Sequence, residues 1–247
     1  LNRLLNRLQD SFEDQQRFIA NASHELSTPL TAISSQLEVS LQRDREATEY
    51  RSVMTSVYQD VRHLNKLTQT LLEFASVSGN SGGIAIDRVR IDEILLRLPG
   101  ELSKMDREYS VSLVFKDLPP EDDSLLVWGN EDLLFSAIHN IVSNACKYSP
   151  DHNAGVELAV GGNEISILVE DKGIGMTADE LNKIFLPFYR AFDDQSVKGF
   201  GLGLSLASRI IKLHRGRIAI HSVPGHGSTF VITFPNVNVL EADGNSN

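Results

Sequence analysis

One short stretch of the chain, NASHELSTPLTAI at residues 21–33, combines residue types that could do chemistry within a helical pattern. His24 lies beside Glu25, and a neutral imidazole nitrogen is nucleophilic while a carboxylate accepts protons. Pro29 follows one turn later and cannot donate to the carbonyl of Glu25, so we expect the helix to bend there. A purely structural helix gains nothing from an ionisable pair followed by a helix breaker. We therefore interpret Pro29 as a bend that lets the helix change shape between functional states.

A second stretch, DKGIGM at residues 171–176, ends a predicted strand with a carboxylate and two glycines. Asp171 could accept a hydrogen bond from an adenine amino group, with Gly173 and Gly175 letting a ligand approach the backbone closely. An ordinary glycine turn, without any ligand, explains the same residues. Taken alone, this stretch favours the turn.

The third stretch, KGFGLGLSL at residues 198–206, places Gly199, Gly201 and Gly203 at the start of a predicted helix, where free N–H groups suit phosphate oxygens. It is not a Walker loop, because no Lys-Ser or Lys-Thr pair follows the glycines. It also lacks the preceding parallel strand of a dinucleotide fingerprint. The usual nucleotide-binding folds are therefore disfavoured.

The predicted helix at 130–148 carries four polar residues on one face, because Asn144 follows Asn140 by four residues and Lys147 and Tyr148 follow Asn144 by three and four. Amide oxygens and an ammonium group could together hold Mg²⁺ and a phosphate chain, since hard cations prefer oxygen ligands. A solvated polar face explains these residues equally well. Asn130 is the expected N-cap of this helix.

Two long helical patterns must position His24: residues 1–43, and a second helix carrying an apolar stripe from Tyr50 to Phe74. The letters RDRE at 43–46 predict a polar turn between them. One such hairpin cannot bury its apolar surface alone, whereas two hairpins can do so as a four-helix bundle, so we expect a homodimer.

Beyond the small-residue stretch SVSGNSGG (76–83), the periodicity becomes mixed, with both helical and strand segments. The pattern predicts helices at VRIDEILLRL, at 130–148 and near 202–214. It predicts strands at 110–115, 125–128, 155–160, 164–170, 216–222 and 228–234. Helices segregated from antiparallel strands indicate an α+β sandwich.

Composition limits the function classes. The chain has 247 residues, 41% hydrophobic and 23% charged, with a formal charge of −10, so we expect no nucleic-acid partner. Cys146 is the single cysteine, which excludes an internal disulfide, and we expect it to be a small buried residue. No apolar run reaches the roughly 18 residues of a membrane span. Since the sequence does not begin with Met, we expect a cytoplasmic fragment whose membrane anchor lies upstream.

Four blocks in this order, SHELSTPLT, IHNIVSNACKYS, DKGIGM and GFGLGL, resemble the H, N, G1 and G2 boxes of sensor histidine kinases of two-component systems. FLPFYR (185–190) resembles the F box, and GHGSTF (225–230) resembles the closing glycine-threonine motif. The resemblance implies a helical hairpin forming a dimeric four-helix bundle, then an α+β two-layer sandwich of the histidine kinase, topoisomerase and chaperone ATPase type. The implied segments are a HAMP-like coiled coil at 1–16, a dimerisation and phosphotransfer domain at 17–77 and a linker at 78–83. A catalytic ATP-binding domain at 84–236 and a disordered tail at 237–247 follow.

The resemblance also implies roles for individual residues. His24 is the phospho-acceptor, Glu25 is its base, and Thr28 orients water against an aspartyl phosphate on a response regulator. Asn144 is the Mg²⁺ ligand, Asp171 accepts a hydrogen bond from the adenine amino group, and Arg190 faces the γ-phosphate. A lid at about 176–200 closes over ATP. The full implied set of ATP-binding residues is Asn140, Asn144, Lys147, Tyr148, Asp171, Gly173, Gly175, Arg190, Gly199, Gly201, Leu202, Gly203 and Thr229.

The expected function is therefore autophosphorylation of His24 by ATP, then phosphate transfer to an aspartate of a response regulator, with phosphatase activity toward that regulator. Two other functions stay open. A related ATPase clamp shares the nucleotide fold but uses a glutamate on the helix that here carries Asn140 and Asn144. A catalytically silent scaffold would only dimerise and bind nucleotide.

Overall fold

The computed structural model describes residues 2–78, 83–116, 122–191 and 199–237. The chain divides into two compact units, Leu1–Ala75 and Ser76–Asn247. The boundary agrees with the small-residue stretch that the sequence marks. Residues 79–82 of the predicted linker and 238–247 of the predicted tail lie outside the described residues. Within those predicted segments, Ser78 is still helical and Val237 is fully buried.

The first unit is a hairpin of two long helices, α1 (Asn2–Leu41) and α2 (Ala47–Ser78). The turn at 42–46 confirms the turn that the polar residues RDRE (43–46) predict between the two helices. The helices run antiparallel, because the ring of Phe18 stacks on Phe74 with centroids 4.7 Å apart. The α-helical assignment of α1 continues through Pro29. Proline therefore interrupts a hydrogen bond in this helix without ending it.

Apolar side chains on the hairpin fall into two groups. One group packs between the helices, and Leu67 and Phe74 in it are buried. The other group remains exposed along both helices at helical spacing, namely Ile19, Leu30, Leu37 and Leu41 on α1 and Met54, Tyr58, Val61 and Leu72 on α2. We call this second group the exposed stripe.

The second unit contains the remaining elements. In chain order they are β1 (Asp87–Arg90), α3 (Ile91–Met105), β2 (Ser110–Lys116), a 3₁₀ turn (Asp122–Leu125), β3 (Leu126–Gly129), α4 (Glu131–Tyr148), β4 (Asn153–Gly161), β5 (Glu164–Asp171), α5 (Ala178–Leu181), α6 (Gly203–Leu213), β6 (Arg217–Ser222) and β7 (Ser228–Pro235).

Five strands form one sheet in the order β2-β4-β5-β7-β6. The pairs β4–β5, β5–β7 and β6–β7 are antiparallel, but β2 pairs with β4 in parallel. The expectation of an antiparallel sheet is therefore wrong for this one pair. The chain between β2 and β4 contains β3 and α4, and a connection of that length allows a crossover to a parallel neighbour.

A separate two-stranded sheet joins β1 to β3, with Val89 opposite Val127. The sequence predicts that Val89 and Arg90 begin a helix, and this is wrong because both residues belong to β1. Val89 is buried in this pairing, and α3 begins only at Ile91. A β-branched residue that finds a cross-strand partner favours the extended backbone.

Helices α3, α4 and α6 pack on one face of the five-stranded sheet. Ile138, Ile141 and Val142 of α4 are fully buried against the sheet, as is Ile167 of β5. Burying side chains of this size stabilises the fold by about 1.5–3 kcal/mol each. Cys146 is buried as expected, and burial raises the pKa of its thiol to about 11. None of the helices in the described ranges is long and apolar enough to cross a membrane.

Candidate active site

His24 and Glu25 lie on α1 of the first unit, remote from either helix end. His24 is exposed and Glu25 is half-buried. Neighbouring residues on a helix do not face each other, and among the described residues no hydrogen bond joins these two side chains. The imidazole is thus open to a reactant, while its contact with the carboxylate is not formed in advance.

Thr28 follows His24 by one helical turn, and its side chain is already engaged. The Thr28 hydroxyl donates to the backbone carbonyl of His24 at 3.0 Å. Such a bond to the carbonyl four residues earlier is common for threonine in helices. The same oxygen keeps its acceptor lone pairs, and Thr28 shares the helix face of His24 because the two residues are four apart.

In the second unit, α4 supplies the polar face that the sequence predicts. Asn130 caps this helix as expected, since its side chain accepts the Leu133 N–H at 3.1 Å. Three turns on, Asn140 Oδ1 lies close to Gly203, where a Cβ atom would be 3.2 Å away. The structure therefore brings the start of α6 directly against the asparagine face of α4.

The end of the same face contacts the glycine-rich stretch. A Cβ atom at Gly199 would lie 3.0 Å from Lys147 Nζ. That ammonium group also lies 5.2 Å from the centroid of the Tyr148 ring. Burial raises the pKa of Tyr148, and the positive charge of Arg190 opposes this shift. Lys147 and Tyr148 thus lie together at the end of α4, with Lys147 against the glycine-rich stretch.

Asp171 is the last residue of β5 and is buried, with 7% of its surface exposed. Its Oδ1 accepts backbone N–H groups of Gly173 at 2.8 Å and of Ser228 at 3.2 Å. These two donors on one oxygen fix the orientation of the carboxylate. Burial raises the pKa of Asp171, and these hydrogen bonds oppose the shift because they stabilise the charged form.

Two glycines next to Asp171 have positive φ and tolerate no side chain. Gly175 has φ +65°, and a Cβ there would lie 2.0 Å from the carbonyl oxygen of Val223. Gly227 has φ +86°, and a Cβ there would lie 2.0 Å from the carbonyl oxygen of Asp171. The glycine pattern around DKGIGM is therefore a tight backbone junction between β5 and the β6–β7 turn.

The predicted lid is only partly covered by the structure, because residues 192–198 lie outside the described residues. Its first part contains the four-residue helix α5, whose cap is a reciprocal pair between Thr177 and Glu180. At its base, the Phe188 N–H donates to the Gly201 carbonyl at 2.9 Å, and both residues have positive φ.

Leu202 and Gly203 form the start of α6. The buried side chain of Leu202 offers no cap to this helix. Its first N–H groups therefore lack a side-chain partner from the capping position, a geometry that suits an anionic ligand.

Thr229 is a predicted nucleotide-binding residue that the structure places on the other face of the sheet from Asp171. It pairs with Glu170 and His221 across the sheet, whereas Ser228 pairs with Asp171. Since side chains alternate between the two faces of a sheet, Ser228 shares the face of Asp171 and Thr229 has the opposite face. Sequence reasoning missed Ser228, although the strand period of two could have indicated it.

Within the described part of the chain, no group of three or more histidine, cysteine or carboxylate side chains could hold a metal ion. The predicted Mg²⁺ donors on α4 are the amides of Asn140 and Asn144, and amide oxygens suit a hard cation. These donors are neutral, so an ion held by them would need further ligands from phosphate oxygens and water.

Two family models match the chain in succession. The model described as His Kinase A (phospho-acceptor) domain matches residues 14–80, which include His24. The model described as Histidine kinase-, DNA gyrase B-, and HSP90-like ATPase matches residues 129–238, which include Asn144 and Asp171. The chain belongs to the sensor histidine kinases of two-component systems.

Curated relatives support this assignment. The probable sensor kinase SilS of Salmonella typhimurium is 28% identical over 98% of this chain and 49% of its own length. The sensor histidine kinase RppB of Synechocystis sp. is 31% identical over 93% of this chain and 51% of its own length. This histidine kinase core thus spans about half the length of the curated relatives it matches.

A solved structure, the histidine kinase AdeS of Acinetobacter baumannii, matches with a TM-score of 0.66 and 18% identity, covering 87% of this chain and 98% of that chain. At that level of identity the likeness concerns the fold.

One buried histidine of this kinase core stabilises the two helices that carry the nucleotide site. His214, at the end of α6, places Nδ1 2.7 Å from the Ile210 carbonyl, and its Nε2 accepts the Asn130 N–H at 3.0 Å. Only the neutral ring with a proton on Nδ1 satisfies both bonds. His214 thus joins the end of α6 to the cap of α4.

We expect the second unit to lose stability as the pH falls, because of His214. Burial lowers the pKa of His214, so the unfolded chain takes up a proton first as the pH falls through about 6.5. Stability is therefore full above that pH and decreases below it. Denaturant unfolding followed through Trp128, the single tryptophan, at about pH 7.5 and about pH 5.5 measures this loss.

The His214→Gln variant is expected to be less stable than the wild type by about 1–3 kcal/mol at the higher pH. It should also lose less stability than the wild type on acidification. His221→Gln, which changes an exposed histidine of the same unit, is the matched control and should keep the wild-type difference. Equal losses in the wild type and His214→Gln would contradict this role.

Proposed function

We propose that this chain is the kinase core of a two-component sensor, which transfers the γ-phosphate of ATP to His24 and then to an aspartate of a response regulator. The observation that carries the proposal is the coexistence of an exposed histidine on a helical hairpin with a buried carboxylate, Asp171, inside a site lined by glycines. His24 supplies a nucleophile, and Asp171 supplies a hydrogen-bond acceptor for the adenine amino group.

The nucleotide would bind between α4 and the loops after β5 and before α6. Asp171, whose Oδ1 accepts the N–H groups of Gly173 and Ser228, would accept a hydrogen bond from the adenine amino group. The first N–H groups of α6 and the Lys147 ammonium would bind the phosphates. When bound, Mg²⁺ would neutralise phosphate charge, and Asn144 with Asn140 offers the amide oxygens to hold it.

The chemical step proposed for His24 is an in-line displacement. One imidazole nitrogen forms a bond to the γ-phosphorus, and the bond from that phosphorus to the β–γ bridging oxygen breaks, so that ADP leaves with the electron pair. The proton on the second imidazole nitrogen passes to Glu25, whose side chain must first turn toward the ring. Arg190, whose positive charge acts on Tyr148, would stabilise the charge on the transferring group.

Dimerisation is proposed from the exposed stripe of the hairpin. In one copy of the chain, large side chains such as Leu41 and Met54 are 84% and 67% exposed. A second hairpin would cover this stripe and complete a four-helix bundle. The resemblance of residues 1–16 to the end of a HAMP linker supports a further proposal, that a membrane anchor precedes this cytoplasmic core in the full-length protein.

Thr28 is proposed to act in removing phosphate from the response regulator. We expect Thr28→Ala to keep the rate of His24 phosphorylation within about threefold while the phosphatase rate falls about tenfold or more, because the variant lacks the hydroxyl that orients water. The measurement is loss of acyl phosphate from the receiver domain that accepts phosphate fastest from this chain. Thr31→Ala is the matched control, since Thr31 makes the same kind of bond one turn on. An unchanged phosphatase rate in Thr28→Ala would exclude this role.

Labelling with γ-labelled ATP and Mg²⁺ tests the proposed function against its two alternatives. Protein-bound label that is acid-labile and alkali-stable is the expected result for phosphohistidine. Turnover of ATP without label on the protein would instead favour an ATPase clamp. Nucleotide binding with neither turnover nor label would favour a scaffold.

A further inference from the structure

One hydroxyl at the end of β6 connects three segments around Asp171. Ser222 Oγ accepts the Met176 N–H at 2.8 Å and donates to the Gly227 carbonyl at 2.8 Å. The same oxygen lies 3.0 Å from Ser228 Oγ. Ser222 therefore contacts the loop after Gly175, the β6–β7 turn and the start of β7.

This hydroxyl reaches Asp171 only through its neighbours. The Ser228 N–H donates to Asp171 Oδ1 at 3.2 Å. Since Ser222 has one proton and gives it to Gly227, its remaining lone pair faces Ser228. The Ser228 hydroxyl can then donate to Ser222, which holds the residue whose N–H fixes Asp171.

A second connection runs through the backbone. The Gly227 carbonyl that accepts from Ser222 belongs to the glycine packed against the Asp171 carbonyl, with φ +86°. The next residue after Ser222, Val223, has its carbonyl packed against Gly175. Both glycine contacts beside Asp171 therefore involve the segment that Ser222 holds.

We propose that Ser222 is a positioning residue that sets the selectivity of the nucleotide site for adenine, by fixing Asp171 through Ser228 and Gly227. The inference rests on the proposed function, because it requires adenine nucleotide at Asp171. Loss of the hydroxyl leaves the Met176 N–H and the Gly227 carbonyl without this partner, so the carboxylate can move from the line of the adenine amino group.

The test compares dissociation constants of the full chain for ADP and for IDP, in which a carbonyl oxygen replaces the adenine amino group. We expect the wild type to prefer ADP, and the preference to fall by about threefold or more in Ser222→Ala. Ser222→Thr retains a hydroxyl and should restore it. Ser166→Ala, on the opposite face of the same sheet, is the matched control and should match the wild type. If Ser222 had only a structural role, its replacement would weaken the binding of ADP and IDP equally and leave the ratio of their dissociation constants unchanged.

A wild-type preference for ADP that persists unchanged in Ser222→Ala would overturn the inference and leave the proposed function intact. Failure of the wild type to bind either nucleotide would overturn the proposed function itself. Unfolding followed through Trp128 establishes that each variant is folded. If Ser222→Ala does not fold, Ser222→Cys replaces it, because a thiol is a weak hydrogen-bonding group and should shift the ratio in the same direction.

Discussion

Replacing His24 with glutamine is expected to reduce protein-bound phosphate to background while the affinity for ATP stays within about twofold. Glutamine is polar and of similar length, but it lacks the nucleophilic imidazole nitrogen. His24 is exposed and belongs to the first unit, so its replacement should leave both the hairpin and the nucleotide site intact. The measurements are labelling from γ-labelled ATP and the dissociation constant for ATP.

His221→Gln is the control for this variant, because it changes an exposed histidine on the second unit by the same substitution. It should label at the wild-type rate. Retained labelling in His24→Gln would exclude His24 as the phosphorylated residue. A large loss of ATP affinity in that variant would show that its effect is not confined to the nucleophile.

Replacing Asp171 with asparagine should weaken ATP binding by about 100-fold or more, a loss of about 2.8 kcal/mol. The asparagine oxygen can still accept from Gly173 and Ser228, but its amide group would then face the adenine amino group, and two donors repel. Calorimetry with ATP, or with ADP to avoid turnover, measures the change.

Glu170→Gln is the matched control for Asp171→Asn. Glu170 is the preceding residue of β5 and is exposed on the opposite face of the sheet, so the affinity should not change. An Asp171→Asn variant that binds ATP within about threefold of the wild type would contradict the assignment of this carboxylate. An equal loss for IDP and ADP would also contradict it, since IDP lacks the amino group.

The long elements were predictable because their signals are local. The helical hairpin follows from apolar periodicity interrupted by RDRE, and Asn130 was identified as a cap from its position alone. β1 was missed because four residues next to a strong helical pattern carry little periodicity of their own. Its strand state depends on pairing with β3, which lies about forty residues away in sequence.

The residues of the nucleotide site likewise divide into those that local sequence predicts and those that depend on strand register or on distant contacts. Asn140, Lys147 and the glycines were found because their spacing or type is visible in the letters, and the structure brings them together. The choice of Ser228 over Thr229 depends on the register of β7 against β5, which a one-residue shift would reverse. Ser222 was missed because its role comes from three contacts with segments distant in sequence.

The most direct measurement is the position of the phosphate on the wild-type chain. The chain is incubated with ATP and Mg²⁺, digested at neutral to alkaline pH to preserve phosphoramidate, and analysed by mass spectrometry. The account predicts a single phosphorylated peptide containing residues 21–33, with the added group on the imidazole of His24. Phosphate on any other side chain, or complete turnover of ATP with this peptide unmodified, would contradict it.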